Sequence, residues 1–185
     1  MSESLNHRIR FTKTRQVVDP CRNNDTDAGI DFYVPTDLTI DELMGIPSNK
    51  TCRLKSGVNF REDTWGFVEE IILNPGQRIL IPSGIQVLIE PEDSMLQANN
   101  KSGISSKQGL IFTAEVVDSP YVGEVHIGVV NTGVDPVTII PGKKLVQFIH
   151  IPVYLTKPQH ISNSEYNELA KDWGTRGNNG FGSGD

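Results

Sequence analysis

The stretch Glu124-Val-His-Ile-Gly-Val-Val-Asn131 alternates apolar residues with polar or smaller ones at a period of two. Val125, Ile127 and Val129 therefore share one face of an extended chain, which is the pattern of a strand with one side in a core. The same period is found in two further stretches, 85–90 and 144–151. We predict that all three stretches are strands.

The stretch 144–151 carries one residue that does not fit its pattern. The period of two places Leu145, Gln147, Ile149 and Ile151 on one face. Gln147 interrupts this apolar face, and a buried amide without a hydrogen bond is costly. We therefore expect Gln147 to have a polar partner.

Turn signals separate the predicted strands. Asn74-Pro-Gly76, Ile81-Pro-Ser-Gly84 and Ile140-Pro-Gly142 combine the two residues that most often end regular structure. Ser162 followed by Glu165 has the spacing of a helix cap. Many short strands with such turns are typical of sandwiches and barrels, so the sequence predicts an all-β fold with one or two short helices.

Two segments depart from the strand pattern. Residues 39–74 have mixed composition and weak periodicity, which indicates an insertion between strands, helical near Asp41 to Met44. Residues 172–185 are rich in glycine and too poor in apolar side chains to form a core. The predicted organisation is a β domain over residues 1–171 and a flexible tail over 172–185.

Composition restricts the class of function. The 185 residues carry a net charge of −6, which argues against a general nucleic-acid-binding surface. No apolar run approaches the roughly 20 residues of a membrane span, and the first residues lack a signal-peptide core, so we expect a cytoplasmic protein. The four histidines show no metal-ligand spacing, and we expect no metal site built by the protein.

The stretch Asn100-Lys-Ser-Gly-Ile-Ser-Ser-Lys-Gln-Gly109 is a candidate anion site. If a helix begins near Ser102, its first backbone N–H groups lack helical partners and can face an anion. Lys101 adds a positive charge. By itself the stretch is more typical of a solvated loop with a helix cap than of an anion site.

The stretch Val116-Val-Asp-Ser-Pro-Tyr-Val-Gly-Glu124 predicts a hairpin with a carboxylate at its turn. Asp118 can serve as a general base if a bound water lies within reach, or it can simply stabilise the turn. Tyr121 can belong to the core or form a flat wall against a sugar.

Taken in order, five segments resemble the motifs of the trimeric dUTPase family (deoxyuridine 5′-triphosphate nucleotidohydrolases). Each segment alone is a weak indication of this family, but five such segments in the same order are a strong one. The five segments are Ala28-Gly-Ile-Asp31, Lys101-Ser-Gly-Ile104, Val116-Val-Asp-Ser-Pro-Tyr-Val-Gly-Glu124, Gly142-Lys-Lys-Leu-Val-Gln147 and Arg176-Gly-Asn-Asn-Gly-Phe-Gly-Ser183.

The resemblance implies a distorted jelly-roll fold and a homotrimer with shared active sites. It implies hydrolysis of dUTP to dUMP and pyrophosphate, with Asp118 activating the attacking water. Tyr121 matches the tyrosine that packs under deoxyribose. The backbone of Val116, Val117 and His126 matches the edge that reads uracil.

The resemblance also implies how the triphosphate is held. Lys101, Ser102, Gly103 and Gln147 match phosphate-binding positions, although the family usually has arginine where Lys101 stands. Asp31 is expected to support the site. Mg²⁺ is expected as a cofactor carried mainly by the triphosphate, where it offsets part of about four negative charges.

The same resemblance gives the glycine-rich tail a role as a lid. Arg176 matches a phosphate-binding arginine, and Phe181 matches a ring that stacks on uracil. Gly182 and Ser183 complete the substrate-binding set. A lid must open and close, which is consistent with the low local stability of a glycine-rich segment.

Two alternatives follow from the same residues. A dCTP deaminase, or a bifunctional deaminase and dUTPase, shares this fold, but Gly128 stands where the deaminases carry a catalytic glutamate. A dUTP-responsive regulator could bind a protein partner through the 39–74 insertion, which holds Trp65 and Phe67. The insertion and Lys101 also resemble phage-encoded dUTPases more than cellular ones, which would place the protein in a host cytoplasm.

Overall fold

The computed structural model describes residues 7–50 and 58–174. The chain divides into two units, Met1–Val153 and Tyr154–Asp185. The first unit contains every described strand, and the described part of the second contains one helix. No helix within the described ranges combines the length and the hydropathy needed to cross a membrane.

The described residues contain eleven strands, three complete helices and a further helical stretch at 47–50. The strands are β1 (Arg8–Lys13), β2 (Gly29–Tyr33), β3 (Asn59–Glu62), β4 (Val68–Leu73), β5 (Arg78–Glu90), β6 (Ser94–Asn99), β7 (Leu110–Thr113), β8 (Val116–Asp118), β9 (Glu124–Asn131), β10 (Val137–Ile139) and β11 (Lys144–Pro152). The helices are α1 (Ile40–Gly45), α2 (Ser102–Gln108) and α3 (Asn163–Ala170).

Three antiparallel sheets form the β domain. Their strand orders are β1-β5-β9-β7, β2-β11-β6-β8 and β10-β4-β3, which we call sheets A, B and C. One apolar core receives side chains from all three sheets, including the tilted ring pair Phe32 and Phe148, whose centroids lie 4.6 Å apart. The predicted all-β jelly-roll class is confirmed.

The strand predicted over 124–131 has the same bounds as β9, and its three predicted core residues are buried. The predicted face of 85–90 is also buried, but its strand begins earlier than expected. Ile81-Pro-Ser-Gly84 is not a turn between strands, so that prediction was wrong. Strand β5 continues through it because an irregularity between Pro82 and Gln86 absorbs the extra residues.

The face predicted for β11 was also wrong. Val146 and Phe148 are almost fully buried, whereas Ile149 and Ile151 are only partly buried. A shift in register between Lys144 and Val146 changes which alternate residues point into the core. The sequence period alone could not reveal this bulge.

The stretch 116–124 does not form a paired hairpin, which corrects another expectation. Strand β8 pairs with β6 in sheet B, whereas β9 pairs with β5 and β7 in sheet A. The connection therefore crosses from one sheet to another. Its Ser119 hydroxyl donates a hydrogen bond to the Ile89 carbonyl (2.9 Å), which fixes the crossing to β5.

The insertion packs on its own chain. Helix α1 begins at the cap Thr39, close to the predicted helical segment, and buries Leu43. Strand β4 pairs with β10 and buries Ile71 and Leu73. Asn49 is buried and pairs with both backbone groups of Leu80, accepting from its N–H (2.7 Å) and donating to its carbonyl (2.6 Å).

Helix α3 confirms the cap predicted at Ser162, whose hydroxyl accepts a hydrogen bond from the Glu165 N–H at 3.2 Å. The boundary that we predicted between residues 171 and 172 stays a prediction. Most of the predicted tail lies outside the described residues.

We expect Asn49→Ala to destabilise the fold by about 2 kcal/mol, because it leaves two partly buried backbone groups of Leu80 without partners. The exposed Asn23 provides a matched control, and Asn23→Ala should change stability by less than about 0.5 kcal/mol. Urea denaturation at one protein concentration measures both values. Equal midpoints for the two variants would contradict the role of Asn49.

Candidate active site

A buried carboxylate lies at the centre of one group of predicted site residues. Asp31, on β2, has only 3% of its surface exposed. Its Oδ1 accepts a hydrogen bond from the Lys101 ammonium, and its Oδ2 accepts one from the Lys144 ammonium at 3.0 Å. Asp31 thereby fixes the entry to helix α2 and the start of β11.

The two lysines decide the charge state of Asp31. Burial by itself raises the pKa of this carboxyl, but the hydrogen bonds and charges of Lys101 and Lys144 outweigh it and hold the pKa below its ordinary value. The same ion pair raises the pKa of Lys144. The Asp31 carboxylate and the Lys144 ammonium are therefore charged at neutral pH.

Gln147 lies beside this group, because the register of β11 and β2 pairs it with Asp31. Its Nε2 donates a hydrogen bond to the Asn100 carbonyl at 3.0 Å, which confirms the expected polar partner. Its amide also lies across Gly29, where an added Cβ would come within 2.3 Å of the Gln147 Oε1. Glycine at position 29 leaves the space that this side chain occupies.

Helix α2 begins at Ser102, as predicted, with Lys101 as its N-cap. Lys101 supplies no capping hydrogen bond from its side chain, because that side chain bonds Asp31 instead. The backbone N–H groups of Ser102 and Gly103 occupy the first turn, where a helix offers no carbonyl partners. An added Cβ at Gly103 would meet nothing within 4 Å, so the helix start is open.

Asp118 belongs to a second group, at the end of β8. This strand is at the edge of sheet B, and the Asp118 side chain is exposed. Its carbonyl accepts a hydrogen bond from the Tyr121 N–H at 3.0 Å, which closes a tight turn. The turn thus fixes the backbone at Asp118, and its carboxylate lies on the surface.

Tyr121 completes this turn and is 44% exposed. Its hydroxyl donates a hydrogen bond to the Glu124 carbonyl at 2.9 Å, and its ring lies against Gly123, where an added Cβ would come within 2.5 Å of the hydroxyl. Tyr121 is therefore not a core residue. It presents a flat surface close to Asp118.

The residues expected to read uracil lie in two sheets. Val116 and Val117 pair on one side with β6, and β8 has no further strand of sheet B on its other side. His126 lies on β9, and its Nδ1 is 2.9 Å from the Glu124 carbonyl. An edge strand presents backbone donors and acceptors that can pair with another molecule.

Within one chain, Asp118 of the second group lies apart from Gln147 of the first. On β6, Asp118 pairs with Met95, whereas Gln147 pairs with Asn99, four residues farther along the same strand. At the rise of an antiparallel strand this separation is about 13 Å. The first group holds Asp31, Lys101, Ser102, Gly103 and Gln147, and the second holds Val116, Val117, Asp118, Tyr121 and His126.

Four predicted residues, Arg176, Phe181, Gly182 and Ser183, lie outside the described residues. Within the described ranges, no group of three or more histidine, cysteine, aspartate or glutamate side chains could hold a metal ion. Asp31, the buried carboxylate nearest the phosphate-binding positions, is already neutralised by two lysines.

A sequence profile of the dUTPase family matches residues 67–184, well over half of the chain. The chain belongs to the dUTPase family. It is 35% identical over 118 residues to the deoxyuridine 5′-triphosphate nucleotidohydrolase of Clostridium novyi, covering 63% of this chain and 78% of that protein. The corresponding enzyme of Fusobacterium nucleatum is 38% identical over 116 residues, covering 62% and 74%.

Solved structures show the same fold for this family member. The dUTPase of phage phi11 of S. aureus, solved with a structural Mg(II) ion, has a TM-score of 0.60 at 19% identity, covering 85% of this chain and 99% of that one. A dUTPase of Staphylococcus bacteriophage 80alpha, solved with dUpNHpp, has a TM-score of 0.67 at 18% identity, covering 95% and 97%. At this identity the similarity is one of fold, and a phage origin stays a prediction.

Sequence reasoning missed three residues of the candidate site. Lys144 is the second cation on Asp31, and Asn100 accepts the Gln147 amide while its own Oδ1 accepts the Phe112 N–H (3.0 Å). Glu124 accepts the Tyr121 hydroxyl through its carbonyl. All three lie inside or beside quoted motifs, but only the strand registers show which side chains meet.

Gly128, which separates this chain from the deaminases, has a structural reason to be glycine. An added Cβ would come within 2.4 Å of the Thr113 Oγ1 and 2.8 Å of its backbone oxygen. The β7–β9 pairing opposes these two residues directly. A glutamate at position 128 would force these strands apart.

We expect the ion pairs of Asp31 to give the protein an acid-sensitive component of stability. Because the folded-state pKa of Asp31 lies below its unfolded value, its contribution is complete above the ordinary carboxyl pKa and is lost as pH falls through the folded-state pKa. Asp31→Asn should therefore cost about 1 to 3 kcal/mol at pH 7 and less at pH 3.

Urea denaturation at pH 7 and pH 3 tests this expectation. The exposed Asp25 has no ion pair among the described residues, and Asp25→Asn serves as the control. An Asp31→Asn variant that loses the same stability at both pH values would show that the effect comes from packing rather than from charge.

Proposed function

We propose that this protein hydrolyses dUTP to dUMP and pyrophosphate at sites assembled between the subunits of a homotrimer. The observation that carries the proposal is the separation of about 13 Å along β6 between the positions that pair with Asp118 and with Gln147. A carboxylate on one subunit would then face phosphate-binding groups on its neighbour. A cyclic trimer would contain three such sites.

In this mechanism Asp118 acts as the general base. It accepts a proton from a water whose oxygen attacks the α-phosphorus, while the bond from that phosphorus to the bridging oxygen of the β-phosphate breaks in line. Pyrophosphate leaves, and dUMP carries the new oxygen. The exposed position of Asp118 at the end of an edge strand supports access to such a water.

The backbone of β8 and β9 is proposed to select uracil. The free edge of β8, at Val116 and Val117, and the backbone of His126 offer donors and acceptors to the base. Cytosine would leave a buried group unpaired, and a pocket closed near carbon 5 would exclude the methyl group of thymine. The Tyr121 ring would pack under deoxyribose and leave no space for a 2′-hydroxyl.

The first group is proposed to bind the triphosphate. The N–H groups of Ser102 and Gly103 donate from the start of helix α2, and Lys101 and Gln147 add a positive charge and an amide beside them. Because Lys101 is engaged by Asp31, it contributes charge rather than the two parallel hydrogen bonds of an arginine.

Mg²⁺ is proposed to enter with the triphosphate as part of the substrate complex. The residues around Asp31 do not suit a protein-built cage, since that carboxylate is paired with two ammonium groups. Bound to the phosphates, the ion would offset negative charge and fix their conformation. The tail residues Arg176, Phe181, Gly182 and Ser183 are proposed to close over the site as a lid.

The two alternatives have weaker support. The space at Gly128 does not admit the acid of a deaminase. The insertion presents Trp65, which is 83% exposed, but most of the apolar side chains that the structure describes in it pack within its own chain. A role of the insertion in binding a protein partner stays a prediction, as does a cytoplasmic location.

We expect Asp118→Asn to lower kcat for dUTP by a factor of about 10² to 10⁴, because the amide keeps the size of the side chain but cannot accept the proton. Pyrophosphate release measures the rate, and an ammonia assay with dCTP tests deamination in parallel. Asp93 is exposed and immediately precedes β6. It provides the control Asp93→Asn, which should retain the wild-type rate. Equal rates for both variants would contradict the assigned base.

Mixing two inactive variants tests whether sites are shared. Gln147→Glu places a negative charge beside the triphosphate and should abolish activity in a different way from Asp118→Asn. In a trimer refolded from equal amounts of the two, about a quarter of the sites should combine an intact Asp118 with an intact Gln147 from the neighbour. No recovery of activity in verified mixed trimers would place the complete site within one subunit.

A further inference from the structure

Tyr121 is held by very few contacts for a residue that must present a flat surface. It is 44% exposed, and its hydroxyl has one hydrogen bond, to the Glu124 carbonyl. Its ring lies against Gly123, which offers no side chain to pack against. The position of the ring therefore depends on how firmly Glu124 is fixed.

Glu124 is fixed by its place at the start of β9, where it pairs with Gln86, and by its own carboxylate. The Oε1 atom accepts a hydrogen bond from the Gly84 N–H at 2.7 Å and another from the Arg15 Nε at 3.0 Å. The side chains of Arg15 and Glu124 are each only 18% exposed. A mostly buried ion pair with a third partner is held much more firmly than a surface pair.

Arg15 also contacts the insertion. Its Nη1 donates to the Glu42 Oε1 at 2.9 Å, and the other oxygen of Glu42 accepts from the N–H and hydroxyl of Thr39, the cap of α1. One guanidinium thus bridges two carboxylates that are 82 positions apart in the chain (42 to 124). Burial lowers the pKa of Arg15, but the two carboxylates outweigh it and raise the pKa overall.

The backbone leaves Arg15 little freedom. Gly84 has a φ of +73°, and a Cβ built there would come within 3.0 Å of both the Arg15 Cβ and the Val17 Cγ1. The Thr14 N–H donates to the Gly84 carbonyl at 2.8 Å. The base of the Arg15 side chain is therefore packed against β5 at the point where that strand bulges.

We infer that Arg15 is a positioning residue for nucleoside selection, which fixes the Tyr121 ring through Glu124 and connects it to helix α1 of the insertion. The inference rests on the proposed function, in which Tyr121 excludes the 2′-hydroxyl of a ribonucleotide. Arginine suits this place because its planar, permanently charged fork binds two carboxylates at once. The insertion then contributes to substrate selection through its own subunit.

Loss of the Arg15 bridge should affect selectivity more than the chemical step. We expect Arg15→Gln to raise KM for dUTP and to lower the ratio of kcat/KM for dUTP over UTP, each by about tenfold, with kcat within about threefold of wild type. Arg15→Lys should give an intermediate ratio, since an ammonium cannot reproduce both contacts. Steady-state pyrophosphate release with dUTP and UTP measures these values.

Two further variants sharpen the test. Glu42→Gln preserves the α1 cap, because glutamine also serves at the third helix position, but it weakens the contact with Arg15. Glu42→Gln should also lower the ratio of kcat/KM for dUTP over UTP. If Arg15→Gln fails to fold, this variant tests the inference in its place. In a Tyr121→Ala background, Arg15→Gln should cause no further loss of selectivity, because the ring that it positions is absent.

Arg10→Gln is the matched control, since Arg10 forms an exposed ion pair with Glu90 between β1 and β5. It should leave the dUTP-to-UTP ratio within about twofold of wild type. If Arg15→Gln and Glu42→Gln give the same ratio as this control while wild type hydrolyses dUTP, the inference is overturned and the proposed function stands. A wild-type protein that does not hydrolyse dUTP would instead overturn the proposed function.

Discussion

The fixed spacing along strand β6 is the constraint on which the active-site arrangement depends. Asp118 is paired near one end of this strand and Gln147 near the other, and a hydrogen-bonded ladder does not allow either to move toward the other. A base must be within about 3 Å of the proton that it removes, directly or through one water. The separation of about 13 Å between the positions that pair with Asp118 and with Gln147 therefore supports the proposed assembly of the site from neighbouring subunits.

Each half of the site is made rigid by a charged centre. Asp31 binds two lysines and thereby fixes the start of helix α2 and the start of β11. Glu124 binds Arg15 and the Gly84 backbone and thereby fixes the turn that carries Tyr121. Preorganised groups of this kind bind charge and sugar without the cost of ordering loops at each turnover. The insertion contributes to the second centre through Glu42, so it is part of the domain's framework as well as of its surface.

The predicted features that the structure confirms are those with a local physical cause. The alternation in 124–131 predicted β9 with its bounds, and Ser102 and Ser162 predicted two helix starts, because strand period and helix caps are properties of neighbouring residues. The wrong predictions concern long-range pairing. The bulge in β11, the continuation of β5 through 81–84 and the separation of β8 from β9 arise from partner strands that no short window of sequence contains.

The sequence by itself determined the fold class, the order of the motifs and the residues of the candidate site, because side-chain chemistry and spacing are written along the chain. Only the tertiary structure decided which of those residues meet. It placed Lys144 and Lys101 on the same carboxylate, joined Arg15 to two distant acids, and kept Asp118 apart from Gln147. Such contacts depend on strand register and sheet order, which are fixed by the packing of the whole core rather than by any one segment.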